Sequence, residues 1–175
     1  AITMGPFLGD FKGAFAWGQL ALAVNARFND VQRRAKILQQ FQAHVNLWLR
    51  PFQSCMSIAH EAQRIGLAQG DHLYAAYAAG SGLWSAMLCT DDLLRFVSEH
   101  QHVIATIEQL ESRGFADSVR LLFNWARSLI GSEAPRVLAT LCIDDAVFEE
   151  RHHGNPFFMG IYFITRQAAA GLLAQ

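Results

Sequence analysis

Few residues in this chain are of a type and spacing that could do chemistry. His60-Glu61 opens like the helix of a zinc protease, in which two histidines four residues apart share a metal and the glutamate beside the first acts as base. The residue four after His60 is Arg64, which cannot supply the second imidazole. His100 and His102 are two apart, so on a helix their rings point about 200° away from each other and do not share a metal in the usual way. His152-His153 falls between Glu149-Glu150-Arg151 and Gly154-Asn155-Pro156, a composition that predicts a solvated loop. Asp91-Asp92 and Asp144-Asp145 pair carboxylates as acid–base or magnesium sites do. Both pairs stand immediately before predicted helices, where capping the free amides is a sufficient role. Cys55, Cys89 and Cys142 sit in apolar runs without the nearby base or helix N-terminus that a nucleophilic thiolate needs, and are expected in the core. The two lysines, Lys12 and Lys36, are not part of a GxxxxGK[ST] loop, and the HRD and DFG motifs of kinases are missing. The sequence therefore assigns no catalytic, cofactor or metal site.

The aromatic residues are the more promising candidates. Trp17, Trp48, Trp84 and Trp125 fall roughly one per pair of predicted helices, and with Tyr74, Tyr77 and Phe123 they are placed to line a concave groove. Arg64 and Arg127 would supply polar contacts there. The competing role for each ring is to fill the space between helices. The expected interaction residues are Arg64, Tyr74, Tyr77, Trp84, Phe123 and Arg127.

The elements that hold these residues follow from periodicity. Sliding the sequence on itself by 41 residues aligns Phe11 with Phe52 and Leu93, Ala21 with Ala62 and Val103, Val24 with Ile65, and Asp30 with Asp71. A period of this length marks stacked supersecondary units, none of which buries its apolar face alone. Apolar residues at mixed three- and four-residue steps predict helices over Asp10 to Phe28, from Asp30 through Trp48, from Phe52 to Ala68, and from Asp71 to Cys89. A fifth is expected from Asp91 or Asp92 to Arg113, with Gly114 breaking it, and a sixth from Ala116 to Ile130. Gly131 to Pro135 reads as a loop; a short helix and a longer apolar one from about Phe157 complete the chain. Strand-like alternation is absent. The fourth helix tolerates Gly80 and Gly82, which points to close backbone approach or, alternatively, to room for a small ligand.

Composition sets the outer limits. At 175 residues the chain suits one continuous domain, residues 1–175. Only 17% of residues are charged, against about 25% in a typical soluble domain, so part of the surface is expected to be covered in its natural setting. A net charge of −1 without long charge runs disfavours nucleic acid as partner. No apolar run reaches the roughly 18 to 20 residues that span a membrane. An odd number of widely spaced cysteines without a signal-peptide pattern indicates a reducing, cytoplasmic setting, and the start at Ala1 suggests a segment of a longer protein.

Gly18-Gln-Leu-Ala-Leu-Ala, Arg27-Phe-Asn-Asp30, Trp48-Leu-Arg-Pro51, and Gly70-Asp71 leading to Tyr74-Ala-Ala-Tyr-Ala78 together resemble the tetratricopeptide-like helical region of large bacterial signalling proteins. Those proteins carry a serine/threonine-kinase-like domain, an AAA-type ATPase module, a GAF domain and often a sensor histidine kinase. The similarity runs from about Asp10 to the end and includes Phe148-Glu-Glu150 and Gly154-Asn-Pro156. It implies a fold of stacked antiparallel helix pairs, a TPR-like solenoid, with the kinase and ATPase sites elsewhere in the parent. The expected function is a non-catalytic protein-interaction and regulatory scaffold, its partner a neighbouring domain or a second protein. The alternatives are small-ligand sensing near Gly80 to Gly82 and self-assembly, as a homodimer, through the apolar helix from Phe157 to Leu173.

Overall fold

The computed structural model describes residues 1–173. Among the described residues all regular structure is helical, and the helices gather into two compact units, Ala1–Cys89 and Thr90–Gln175. No helix of the described residues is long and apolar enough to cross a membrane.

The first unit contains α1 (Met4–Leu8), α2 (Phe11–Phe28), α3 (Val31–His44), α4 (Phe52–Gln69) and α5 (His72–Cys89). Aspartates start three of these helices by accepting an otherwise unpaired amide: Asp10 from Gly13 at 2.8 Å, Asp30 from Arg33 at 3.1 Å and Asp71 from Tyr74 at 3.2 Å. The helix expected to run from Asp30 through Trp48 stops at His44 and gives way to a 3₁₀ turn, Asn46–Trp48. Buried Asn46 explains the change, because its side-chain amide donates to Ser54 Oγ at 2.8 Å and Cys55 Sγ at 3.3 Å. Those bonds tie the turn to the start of α4.

The pairs α2/α3 and α4/α5 are closed by the same turn. Asn29 and Gly70 are left-handed, with φ of 48° and 72°. The next amide returns to the last turn of the helix: Asp30 N–H donates to Asn25 O at 3.2 Å, and Asp71 N–H to Gly66 O at 2.8 Å. Beyond the turns each pair packs against a glycine, α2/α3 through a ring and α4/α5 through a methyl. A Cβ on Gly18 would lie 2.6 Å from the Phe41 ring, and one on Gly82 would lie 3.0 Å from the Ala59 methyl. Between α3, α4 and α5 the core is Ala35, Leu38, Ala62, Ile65 and Ala78, flanked by Leu22, Ile58 and Tyr74.

The second unit contains α6 (Leu93–His100), α7 (Val103–Gln109), α8 (Arg113–Ile130), a 3₁₀ turn Gly131–Glu133, α9 (Arg136–Leu141), α10 (Asp145–His152) and α11 (Pro156–Leu173). Asp92 and Asp144 cap α6 and α10, as expected of those aspartates: Asp92 accepts from Arg95 N–H, and Asp144 from Ala146 N–H and Val147 N–H. The single fifth helix of the sequence reading is two helices, interrupted at Gln101–His102. Polar side chains compete for the backbone there, His100 Nδ1 lying 2.9 Å from Phe96 O and Gln101 Nε2 3.3 Å from Ser98 O.

Gly114 does not break a helix but lies in the first turn of α8. The reversal before it is made by Glu111, whose φ is 57°. Gly114 is small for another reason: a Cβ there would sit 2.7 Å from the Phe158 ring. Around it, Phe148 and Tyr162 stack at 5.4 Å in a core with Leu121 and Ile143. His152 closes α10 and does not lie in a loop, since Asp144 starts that helix early enough to include it. Ala174 and Gln175, the end of the expected apolar segment, lie outside the described residues.

The Gly18 contact gives a direct test of α2/α3 packing. Gly18→Val should lower stability by about 2 kcal/mol or more, because a branched side chain must displace the buried Phe41 ring. Urea unfolding measures the loss. An unchanged midpoint would mean that the Phe41 ring does not lie against Gly18.

Candidate interaction surface

The expected interaction residues divide between the two units. In the first, Tyr74 packs on the Ala35–Leu38–Ala62–Ile65 cluster, meets Tyr77 edge-on at 5.8 Å, and carries Lys36 Nζ 5.3 Å from its ring centre. That last contact is a cation–π interaction on a half-exposed ring. Trp84 is half-buried and Arg64 is exposed. Arg64 borders a cleft of about 330 Å³ with Asn29, Val31, Arg34, Glu61 and Ile65. Across the cleft Arg34 Nη2 donates to Glu61 Oε1 at 2.7 Å. Both side chains are more than a third exposed, so the pair adds specificity of position more than stability.

In the second unit Phe123 is fully buried and lies 6.0 Å from Phe96, ring to ring. It fills the core and cannot line a groove, because the α8 face that carries it points inward. Arg127 is exposed and borders a cleft of about 600 Å³ with Asn124, Ser128, Cys142, Ile143 and Asp144. Asn124 braces this cleft, donating to Ile143 O at 2.7 Å and accepting Ile143 N–H at 3.0 Å. Burial pushes the Cys142 thiol up, and Arg127 and Arg120 oppose that shift only in part. Cys55 is buried, and desolvation raises its thiol as well.

The tryptophans do not share one environment. Trp17 and Trp48 are 57% and 49% exposed, and Trp48 lies 5.1 Å from Phe11. Trp125 is half-buried, and its Nε1 is out of contact with solvent and without an acceptor. Two neighbours meet the small residues of α5 near Gly80 to Gly82. Ala59 fills the approach to Gly82, and Gln42 Nε2 donates to Ser81 Oγ.

His60, His152 and His153 have separate surroundings. His60 is exposed while its neighbour Glu61 pairs with Arg34. His153 Nδ1 is 3.0 Å from Glu150 O, and the His152 ring turns the other way, with Nε2 3.0 Å from Asp117 Oδ2. Sequence reasoning missed Asp117, a buried carboxylate that also receives Arg151 Nη1 at 3.2 Å. The available signal was a charged residue on the apolar face of α8, between Ala116 and Val119. Around this centre His152 packs between Phe148 at 4.6 Å and Phe158 at 4.9 Å. A second polar chain runs along α11. Arg166 Nη1 donates to Asp145 Oδ2 at 2.6 Å and to Tyr162 OH at 2.8 Å, and Tyr162 OH donates to Glu149 Oε1 at 2.7 Å. Burial, then the bond to Glu149, pushes the Tyr162 phenol up, so it remains a neutral donor.

Asp117 and Asp145 separate buried from exposed charge. Asp117→Ala leaves Arg151 and His152 without their acceptor in a packed site and should cost about 2–4 kcal/mol, whereas Asp145→Ala at the solvated Arg166 pair should cost under about 1 kcal/mol. Thermal and denaturant unfolding of the two variants checks the contrast. Equal losses would place Asp117 in a far more hydrated site.

No family model, curated protein or solved structure matches this chain.

Proposed function

We propose that the chain is a non-catalytic protein-interaction scaffold, a superhelical stack of antiparallel helix pairs with a 41-residue period. One recurring turn carries the reading. Asn29, Gly70 and Glu111, each 41 residues after the last, are all left-handed. The amide that follows each one, on Asp30, Asp71 and Ser112, reaches back to Asn25 O, Gly66 O and Ile107 O, again 41 apart. Helix starts recur in the same frame: Phe11, Phe52 and Leu93 begin α2, α4 and α6, and Val31, His72 and Arg113 begin α3, α5 and α8. Buried positions recur as well, with Ala14, Cys55 and Phe96 in one set and Ala35, Ala76 and Asp117 in another.

Units that repeat without a catalytic constellation, with few charged residues and with exposed aromatic side chains, suit recognition of protein. The resemblance of Gly18 to Ala78 to the helical region of bacterial signalling proteins supports a position beside kinase-like and ATPase domains. There the chain would position or relay between its neighbours, in the cytoplasm.

Two measurements test this reading. Deleting residues 31–71 removes one period and should leave a helical chain that unfolds cooperatively, while deleting 31–64 breaks the frame and should not. Circular dichroism with urea unfolding distinguishes them, and equal behaviour of the two would count against a 41-residue unit. For the interaction, separately produced neighbouring domains should bind the chain, and Arg64→Ala, at an exposed residue beside the cleft, should weaken binding by about tenfold without changing the unfolding midpoint of the chain. Unaltered affinity would sink the proposed surface.

A further inference from the structure

We infer that the outer face of α2 is a docking site for one amphipathic helix with the apolar pattern of α3, supplied by a helix pair other than those of this chain. The inference rests on the repeat reading above and names the partner of the stack's first helix. Trp17, Leu20 and Val24 on α2 are 57%, 49% and 46% exposed, and Ala21 between them is exposed too. These four residues form one stripe along the helix. Their counterparts 41 residues on are Ile58, Glu61, Ala62 and Ile65 of α4, of which Ala62 is fully buried and Ile65 only 8% exposed.

What covers the α4 stripe is α3. Ala35 and Leu38 pack on Ala62 and Ile65, with Ile58 at the edge, and Arg34 pairs with Glu61 at 2.7 Å. The α2 stripe is thus the same surface without its covering helix. One position differs in kind, because Leu20 stands where α4 carries Glu61. The partner is therefore expected to present a small residue and a branched aliphatic spaced as Ala35 and Leu38 are, and an apolar side chain where α3 has Arg34.

A second copy of the chain cannot supply this helix head to tail. The α3 face that would be needed, Arg34, Ala35 and Leu38, recurs in α5 as Ala75, Ala76 and Ala79, in α8 as Ala116, Asp117 and Arg120, and in α11 as Phe157, Phe158 and Ile161; the first two of the α5 and α8 sets are buried, and Phe158 lies against Gly114. In α5 and α8 the small position is buried, and in α11 a phenylalanine stands where α3 has the small Ala35, which points to a different segment.

Helix-stabilised peptides spanning residues 31–45, one with the natural sequence and one carrying Arg34→Leu, are the probes, titrated into the full chain by calorimetry. The Arg34→Leu peptide should bind the natural chain about tenfold more tightly than the unmodified peptide does. Leu20→Glu, which recreates the α4 chemistry, should reverse that preference, and Ala21→Trp should abolish binding of both, with circular dichroism unchanged. Failure of both peptides to bind would overturn the inference, as would binding without reversal. Concentration-dependent dimerisation lost in Ala21→Trp would overturn it in favour of α2 pairing with a copy of itself. The deletion experiment reports separately on the repeat: if removing residues 31–71 still leaves a folded chain while no peptide binds, the docking site alone fails.

Discussion

The turn that follows α2, α4 and the α6–α7 segment constrains most of what lies around it. A left-handed residue reverses the chain, and the next amide is tied to a carbonyl five residues earlier, so the direction in which the following helix departs is fixed before any side chain packs. With direction set, contact distance is the remaining freedom, and side-chain size uses it. Small residues at the crossing draw α4 and α5 together, whereas the Phe41 ring lies directly against Gly18 and spaces α2 from α3. The buried face of each helix and the exposure of the opposite face both follow from that arrangement.

Asp117 is the main departure from this apolar scheme. In the proposed repeat it holds the place of Ala35 and Ala76, 82 and 41 residues earlier, and unlike them it needs hydrogen-bond donors in a buried site. The second unit meets that need with α10, whose final turn brings Arg151 and His152 to the carboxylate, and it frames the imidazole with Phe148 and Phe158. Gly114 leaves the room that Phe158 takes. A charge on α8 and a cluster of short helices at the end of the chain are thus one packing solution. A buried charge of this kind selects one partner arrangement over others more than it adds stability.

Much of the fold was legible because it is written in local chemistry. Aspartates at 30, 71, 92 and 144 begin helices, and the 3.6-residue pattern of apolar side chains marks α2, α4 and α5. What was not legible depends on contacts distant in sequence. Gly114 reads locally as a breaker, yet its neighbour is Phe158; the stop at His44 depends on Asn46 reaching Ser54; and the break at Gln101–His102 comes from side chains capturing carbonyls that an ordinary helix would keep. For the surface, residue type placed Arg64 outside the core, where it borders a cleft. It could not reveal that Phe123 points inward, since an aromatic residue on a helix serves core and groove equally well until the helix is oriented.

The crossings of the two helix pairs in the first unit also bear on how such a chain can change over generations. Position 18 and position 41 hold glycine against phenylalanine; their counterparts 59 and 82 hold alanine against glycine. If the proposed repeat arose by duplication, neither combination reaches the other by a harmless single step. A methyl added at 18 meets the ring, and a ring removed at 41 leaves an empty space. Lineages carrying this chain should therefore show positions 18 and 41 substituted jointly, and the size of one should predict the size of the other.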